Sequence, residues 1–363
     1  MDPRITTAGA DPGNGAAGDR AEREGPSIRF TARFWPLFRI WLGNLLLTII
    51  TLSFYRFWGR TRVRRFLWRH FEIDGDGLEY TGTGRELFIG FLILTAVLVP
   101  FLIVQGLLNS LLADPLAALA QAAVYILLLY LGGYAYYRSR RYRLSRTLWR
   151  GIRPQLSGSP WQFANLVTGY TLGNILTLGL IRPIRDRALT RRLLTDIRIG
   201  SLSPTFRPQI RPLFIIQLFG FPLTSLVAAI AWGSIVLADP TSDATQIIEG
   251  TAPLSIPLLL LWLLFINTLY SGKRYHLFAA GTGLGDVTFT MTPGFWAVLR
   301  LKAGNFLLQL IMLGTGSAFT QYRTAGFYAR HLKAHGRLDT ASMHQHDANE
   351  TGFGDDIADV FTF

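Results

Sequence analysis

Four stretches of the chain carry no charged residue, and they limit what it can fold into more than any other feature. They run from Leu87 to Leu112, Leu116 to Tyr137, Leu213 to Ala238 and Pro253 to Ser271, with 26, 22, 26 and 19 residues. At a rise of about 1.5 Å per residue, each can cross a hydrocarbon layer of roughly 30 Å as a helix. Pro100, Pro222 and Pro257 fall inside them and are expected to kink or cap them. A buried helix of a soluble protein fits these lengths poorly. Composition agrees: half of the 363 residues are apolar and only 16% are charged, richer in the first and poorer in the second than a soluble domain.

The loops give the orientation. The first pair of stretches is joined by Ala113-Asp114-Pro115, and the second by Asp239 to Ala252, whose charged residues are Asp239, Asp243 and Glu249. By contrast, Arg56 to Arg69 holds six arginines and Arg138 to Arg153 holds seven. Basic loops stay on the cytoplasmic side, so the sequence predicts two helical hairpins pointing away from an arginine-rich cytoplasmic face. The expected location is an inner membrane crossed several times, with both termini in the cytoplasm. The net charge of +13 arises in bursts between apolar runs. That pattern suits anionic lipid headgroups as partners and not nucleic acid.

Residues 1–27 are mostly small or polar and cannot bury enough surface to offset ordering entropy. They are expected to form a disordered tail, residues 28–340 a membrane domain, and residues 341–363 a polar tail. No apolar core follows a short basic start, so no cleaved signal peptide is expected and a membrane span must do the targeting. The absence of cysteine excludes disulfides, thiolate metal sites and thiol catalysis.

Three further apolar segments resemble one another. Asn44 to Thr51-Leu-Ser precedes Arg56 and Arg60, Tyr170 to Thr177-Leu-Gly precedes Arg182, Arg185 and Arg187, and Asn305 to Met312-Leu-Gly precedes Arg323. They read as copies of one unit, near 35–85, 142–200 and 273–335, set between and around the hairpins at 87–137 and 213–271. Each copy is basic on both flanks: Arg39 and Arg56, Arg153 and Arg182, Lys302 and Arg323 bracket uncharged runs of 16, 28 and 20 residues. If the middle copy spanned, it would invert the second hairpin and put its acidic loop in the cytoplasm. The copies are therefore expected to be re-entrant or interfacial, with Asn and Thr satisfying broken backbone groups. Seven ordinary spans are the alternative. Phe71 to Tyr80, around Asp74-Gly75-Asp76-Gly77, reads as a cytoplasmic β-hairpin.

These residues also carry a family resemblance. Thr48 to Trp58 with Arg62 and Arg65, Ile73-Asp74-Gly75, Tyr80-Thr-Gly-Thr-Gly84-Arg-Glu-Leu-Phe88, Arg143-Leu-Ser-Arg-Thr-Leu-Trp149-Arg150-Gly151-Ile152-Arg153 and Gly336-Arg-Leu-Asp339 resemble the YjgN-like family. The likeness runs from about Ile28 to Phe363. Ser53 stands where the family usually has glycine, and Gly352-Phe-Gly-Asp-Asp lacks an expected Gly-Glu pair. The resemblance implies a multipass bacterial inner-membrane protein and brings with it no activity, substrate or catalytic residue.

The chemistry read from the residues is sparse. The four uncharged stretches hold only the polar groups Gln105, Asn109, Gln121, Gln217 and Asn267, which more often bridge helices than bind solute. Ion-coupled pumps usually carry acids or histidines at membrane depth. His331 and His335 are four residues apart on a predicted helix, with His344 and His346 beyond them, a spacing open to metal but more readily surface histidines. Asp74 to Gly77 lacks the later ligands of a calcium loop. Gly281-Thr-Gly-Leu-Gly285 lacks the strand-to-helix context of a phosphate cradle. Neither an enzyme nor a cofactor is expected. The arginines are the strongest feature: Arg62, Arg64, Arg65, Arg140, Arg141, Arg143 and Arg150, with Trp149, form a candidate headgroup-contact set. The expectation is an all-helical membrane core with small β elements that contacts anionic lipid. The alternative is a transporter or channel for a small solute or lipid, with Gln105, Asn109, Gln217 and Asn267 lining its cavity.

Overall fold

A computed structural model of the chain describes residues 25–111, 114–220 and 244–337, except for the side chains of 108, 109, 114 and 244–259. Among the described residues, helices dominate and short strands stand between them. The strands set the architecture. β1 (Ile28–Phe30) pairs with β2 (Phe71–Ile73), with Ile28 opposite Ile73 and Phe30 opposite Phe71. β2 pairs with β3 (Asp76–Gly77), and β4 (Glu79–Tyr80) with β5 (Thr147–Leu148). β6 (Gln155–Leu156) pairs with β7 (Ile197–Arg198). β8 (Pro204–Phe206) pairs with β9 (Thr282–Leu284), β9 with β10 (Val287–Met291), and β10 with β11 (Leu332–His335). Every pairing is antiparallel, and the bridges Trp149–Ile152 and Ile199–Leu202 join the remaining neighbours. In chain order this is one antiparallel meander, and β11 lies beside β1.

Connections in an antiparallel meander alternate between its two ends. At one end they are two-residue turns: Asp74-Gly75, Arg150-Gly151, Gly200-Ser201 and Gly285-Asp286. In the first two, both residues have positive φ, and in the last two only the leading glycine does. These are the primed turns whose twist matches that of paired strands. At the other end the described residues of each connection form two helices: α1 (Phe34–Ile50) and α2 (Arg56–Arg69), α3 (Gly84–Leu111) and α4 (Asp114–Ser145), α5 (Pro160–Leu176) and α6 (Arg182–Asp196), α7 (Arg211–Gly220) and α8 (Ala244–Ala280), α9 (Phe295–Ile311) and α10 (Ser317–His331). All five hairpins leave the same end, and each returns its chain to the point of departure. Trp149 and Ile152 are buried at the turn end, with Ile73, Leu78, Ile199 and Leu202 packed on them.

The expected β-hairpin forms at Asp74-Gly75, but only in part: Glu79 and Tyr80 leave it to pair with β5 instead. α3 runs unbroken through Pro100 and α8 through Pro257. Pro222, most of the third uncharged stretch, and Asp239 and Asp243 lie outside the described residues, as does the side chain of Glu249.

The three repeats have one backbone. α1, α5 and α9 are each 17 residues long, and each ends in the same turn. Two successive residues there are left-handed: Leu52 and Ser53 (φ 48° and 75°), Leu178 and Gly179 (52° and 96°), and Leu313 and Gly314 (46° and 81°). The second donates its N–H back to Thr48 O, Asn174 O and Gln309 O, respectively, which satisfies carbonyls that a helix end leaves open. Thr51 and Thr177 add hydroxyl bonds to Leu47 O and Gly173 O (2.6 and 2.8 Å), and buried Asn44 donates to Gly59 O (3.1 Å). Leu47 O and Gly173 O also accept the N–H of the same threonines, and Asn305 donates to Thr324 Oγ1 (3.3 Å), so these side chains add to bonds within the hairpin and do not replace broken ones. The strand ladders bound the copies at 28–73, 152–199 and 287–335; the first begins earlier than the sequence suggested, and the other two begin later.

Candidate functional site

The predicted headgroup set divides. Arg62, Arg65, Arg140 and Arg150 are exposed. Arg65 Nη2 donates to Gly82 O (2.9 Å), both Nε and Nη2 of Arg140 donate to Tyr136 Oη, and Arg150 is paired with Asp76. Arg141 is half-buried and donates to Leu156 O and Gly158 O, tying α4 to the strand that opens the middle repeat. Arg143 Nε reaches Ser139 O on its own helix (3.4 Å). Arg64 and Trp149 are corrections: they are 6% and 7% exposed. Arg64 donates to Tyr80 Oη (3.1 Å) and Trp149 sits in the cluster at the turn end, so both are held inside the fold, away from any headgroup layer.

The four polar groups predicted to line a cavity are not gathered together. Gln105 donates to Gln121 (2.5 Å), bridging α3 and α4. Gln217 lies beside Gly179 at the tip of the middle repeat, and the Asn109 side chain is outside the described residues. Asn267 faces α6. His331 Nδ1 contacts Phe327 O (2.9 Å) and His335 Nε2 contacts Thr290 Oγ1 (2.8 Å), while His344 and His346 lie outside the described residues.

What the sequence reading missed is how the middle repeat is held. α6 carries two buried aspartates, Asp186 and Asp196. Ten residues apart, they lie roughly 80° from one another around a helix of 3.6 residues per turn, and each meets a different long helix. Asp196 accepts from Tyr137 Oη on α4 (2.7 Å) and pairs with Arg192 (3.0 Å). Asp186 accepts from Tyr270 Oη on α8 (3.1 Å), and pairs with Arg274 (3.0 Å) and Arg185 (3.1 Å). A carboxylate this buried is tolerable only with such partners.

Around Asp186 the positive charges outnumber the negative. Arg182 lies over the Tyr270 ring (4.2 Å) and donates to Asn267 Oδ1 (2.9 Å). Lys302 on α9 donates to Asn267 O (2.8 Å) and Ser271 Oγ (2.5 Å), both neutral. Burial, followed by the charges of Arg182 and Arg274, brings the Lys302 ammonium down to about 8. Burial and the neighbouring Tyr275 raise the Tyr328 phenol on α10 to about 12, against Arg274 and Arg140. Arg182, Arg185 and Arg274 thus surround one carboxylate between α6 and α8, and Lys302 of α9 stands beside Arg182 and Arg274. The only hint in the sequence was two acids inside an otherwise basic helix.

A cavity of about 560 Å³ opens beside this cluster. Leu128, Leu129, Gly132 and Tyr136 of α4, Phe163 and Val167 of α5, and Leu189 and Leu193 of α6 form its wall, with Thr190, Asp186 and Arg274 also on its lining.

Two helices, Gly84–Leu107 within α3 and Pro115–Ser145 within α4, are long and apolar enough to cross a membrane. No match was found among curated proteins or among solved structures. Residues 26–360 match the model of a family described as bacterial protein of unknown function (DUF898). The match covers nearly the whole chain and agrees with the resemblance read from the Arg143 to Arg153 signature, so the protein belongs to this bacterial, YjgN-like family.

Proposed function

We propose that this protein is an integral protein of the bacterial inner membrane, without catalytic activity. Its strand meander lies at the cytoplasmic surface, and its exposed arginines contact anionic lipid. The observation that carries the reading is that all five helical hairpins leave one end of the meander. A single lipid layer can receive them all, while Arg62, Arg65, Arg140 and Arg150 stay near the other end or at the boundary. Helix length then sets depth. α3 and α4, with 28 and 32 residues, reach about 42 and 48 Å, enough to span, whereas a 17-residue repeat helix reaches about 25 Å.

The repeats suit re-entry. Each begins with an exposed tryptophan at its second residue: Trp35, Trp161 and Trp296, a residue type that settles at the headgroup level. Each ends with an exposed leucine at the tip, Leu52, Leu178 and Leu313, exposed by 83, 68 and 89%. Leucines that open to water would be costly, whereas lipid welcomes them. The native absence of cysteine makes the test clean. A membrane-impermeant thiol reagent should label Ser201→Cys from the cytoplasm and Thr241→Cys from the periplasm, and should not reach Leu178→Cys from the periplasm. Periplasmic labelling at Ser201→Cys would overturn the topology.

A second reading, holding or passage of a small molecule, is favoured by the cavity beside Asp186 and Arg274.

A further inference from the structure

The cavity bounded by α4, α5, α6 and α8 combines a wall of leucine, valine and phenylalanine with a cationic end. We infer that it binds one acyl chain bearing an anionic headgroup, with the chain along the wall and the headgroup at Arg274. At about 560 Å³ it lies within the roughly 300–1,000 Å³ of ligand pockets. Its apolar lining would be left wet by a wholly hydrophilic anion. A neutral amphiphile would leave the charge imbalance untouched: three bases, Arg182, Arg185 and Arg274, stand against Asp186. An acyl chain with an anionic head satisfies both.

The position of the opening matches this ligand. Gly132 is exposed on the cavity lining and lies near the end of the uncharged stretch of α4, six residues before Arg138. If α4 spans as proposed above, that is the level where hydrocarbon gives way to headgroups, so an amphiphile enters sideways with its head already near the basic cluster. The neighbouring Gly133 serves packing: a Cβ there would lie 3.1 Å from Ala164 Cα, whereas a Cβ at Gly132 would meet nothing within 4 Å. A side chain at 132 therefore grows into open space. Gly132→Leu fills the cavity mouth and also favours the helix.

The head could come from a free fatty acid or from a bilayer phospholipid, and the two are separable. The full chain in phosphatidylcholine nanodiscs would be examined by native mass spectrometry with three probes: a long-chain fatty acid, the alcohol of the same chain, and phosphatidylglycerol. We expect a one-to-one adduct with the fatty acid, with phosphatidylglycerol, or with both, the pattern naming the source. The alcohol should bind at least about tenfold more weakly, the worth of one charge-assisted contact. Gly132→Leu should lose at least about tenfold in affinity. Equal binding of acid and alcohol, no adduct, or an undiminished adduct in Gly132→Leu would each overturn the inference. The cysteine map of Gly132→Leu should match that of the parent, so a failed topology and a failed binding site give different results.

Discussion

The middle repeat and the two outer repeats share a backbone, and both are packed through aromatic rings, but buried carboxylates key only the middle one to its neighbours among the described residues. α6 of the middle copy is keyed into α4 and α8 by buried carboxylates, Asp196 on Tyr137 and Asp186 on Tyr270 and Arg274. The outer copies hold one another through rings. Trp41 lies 5.3 Å from Phe319, Phe30 lies 5.4 Å from Tyr322, and Leu37, Val63 and Leu67 fill the space between. Trp41 Nε1 adds one bond to Thr315 O (3.1 Å). One hairpin geometry thus tolerates two sorts of neighbour. The turn is satisfied within the repeat, so its outer faces are free to be polar or apolar as the surroundings require.

That contrast can be broken at its strongest point first. Asp186→Ala leaves Arg274 and Arg185 without their carboxylate and should cost about 3–5 kcal/mol, read as a lowered unfolding midpoint in mild detergent. Asp76→Ala, which removes the half-exposed partner of Arg150, should cost less than about 1 kcal/mol. If the two substitutions cost the same, the middle repeat is not held by its carboxylates. In the outer pair, Phe319→Ala should cost about 3 kcal/mol, the low end for losing a buried ring. Replacing the polar group Trp41 touches, by contrast, is impossible by mutation because it is a backbone carbonyl.

A smaller test bears on what the repeats share. Ser53 occupies the left-handed position that Gly179 and Gly314 fill in the other copies, so Ser53→Gly should raise the unfolding midpoint by about 1 kcal/mol and Gly314→Ala should lower it by about the same. Opposite signs at equivalent positions would show that the three turns are one structure. The smallest effect concerns pH. Folding lowers Lys302 from 10.5 to about 8, so the unfolded chain binds more protons between those values and stability should rise with pH across that window. Arg182 and Arg274 are the charged groups that act on it. Because Lys302 is partly exposed, the gain should be below about 1 kcal/mol, and Lys302→Met should abolish it.

Much of this was legible from the residues alone. The uncharged stretches announce the long helices, and the Thr-Leu-Ser, Thr-Leu-Gly and Met-Leu-Gly steps mark three turns that the structure shows to be superposable in their dihedral angles. The glycine expected at Ser53 has its reason there. The meander was not legible, because its strands are two to five residues long and partners such as Glu79 and Leu148 are separated by an entire helical hairpin. Of the four two-residue turns between strands adjacent in sequence, only Asp74-Gly75 is read as a hairpin. Arg64 and Trp149 were misread for a related reason: side-chain type predicts a headgroup contact, and burial depends on what packs from elsewhere.

The sequence by itself determined that the chain is mostly helical and that α3 and α4 are long apolar helices, because hydrophobicity acts locally and adds along the chain. Only the tertiary structure decided that the helical hairpins share one end of a meander, and that three bases from α6 and α8 converge on Asp186. Those outcomes depend on pairings between residues up to hundreds of positions apart, each with too little local energy to leave a signature of its own.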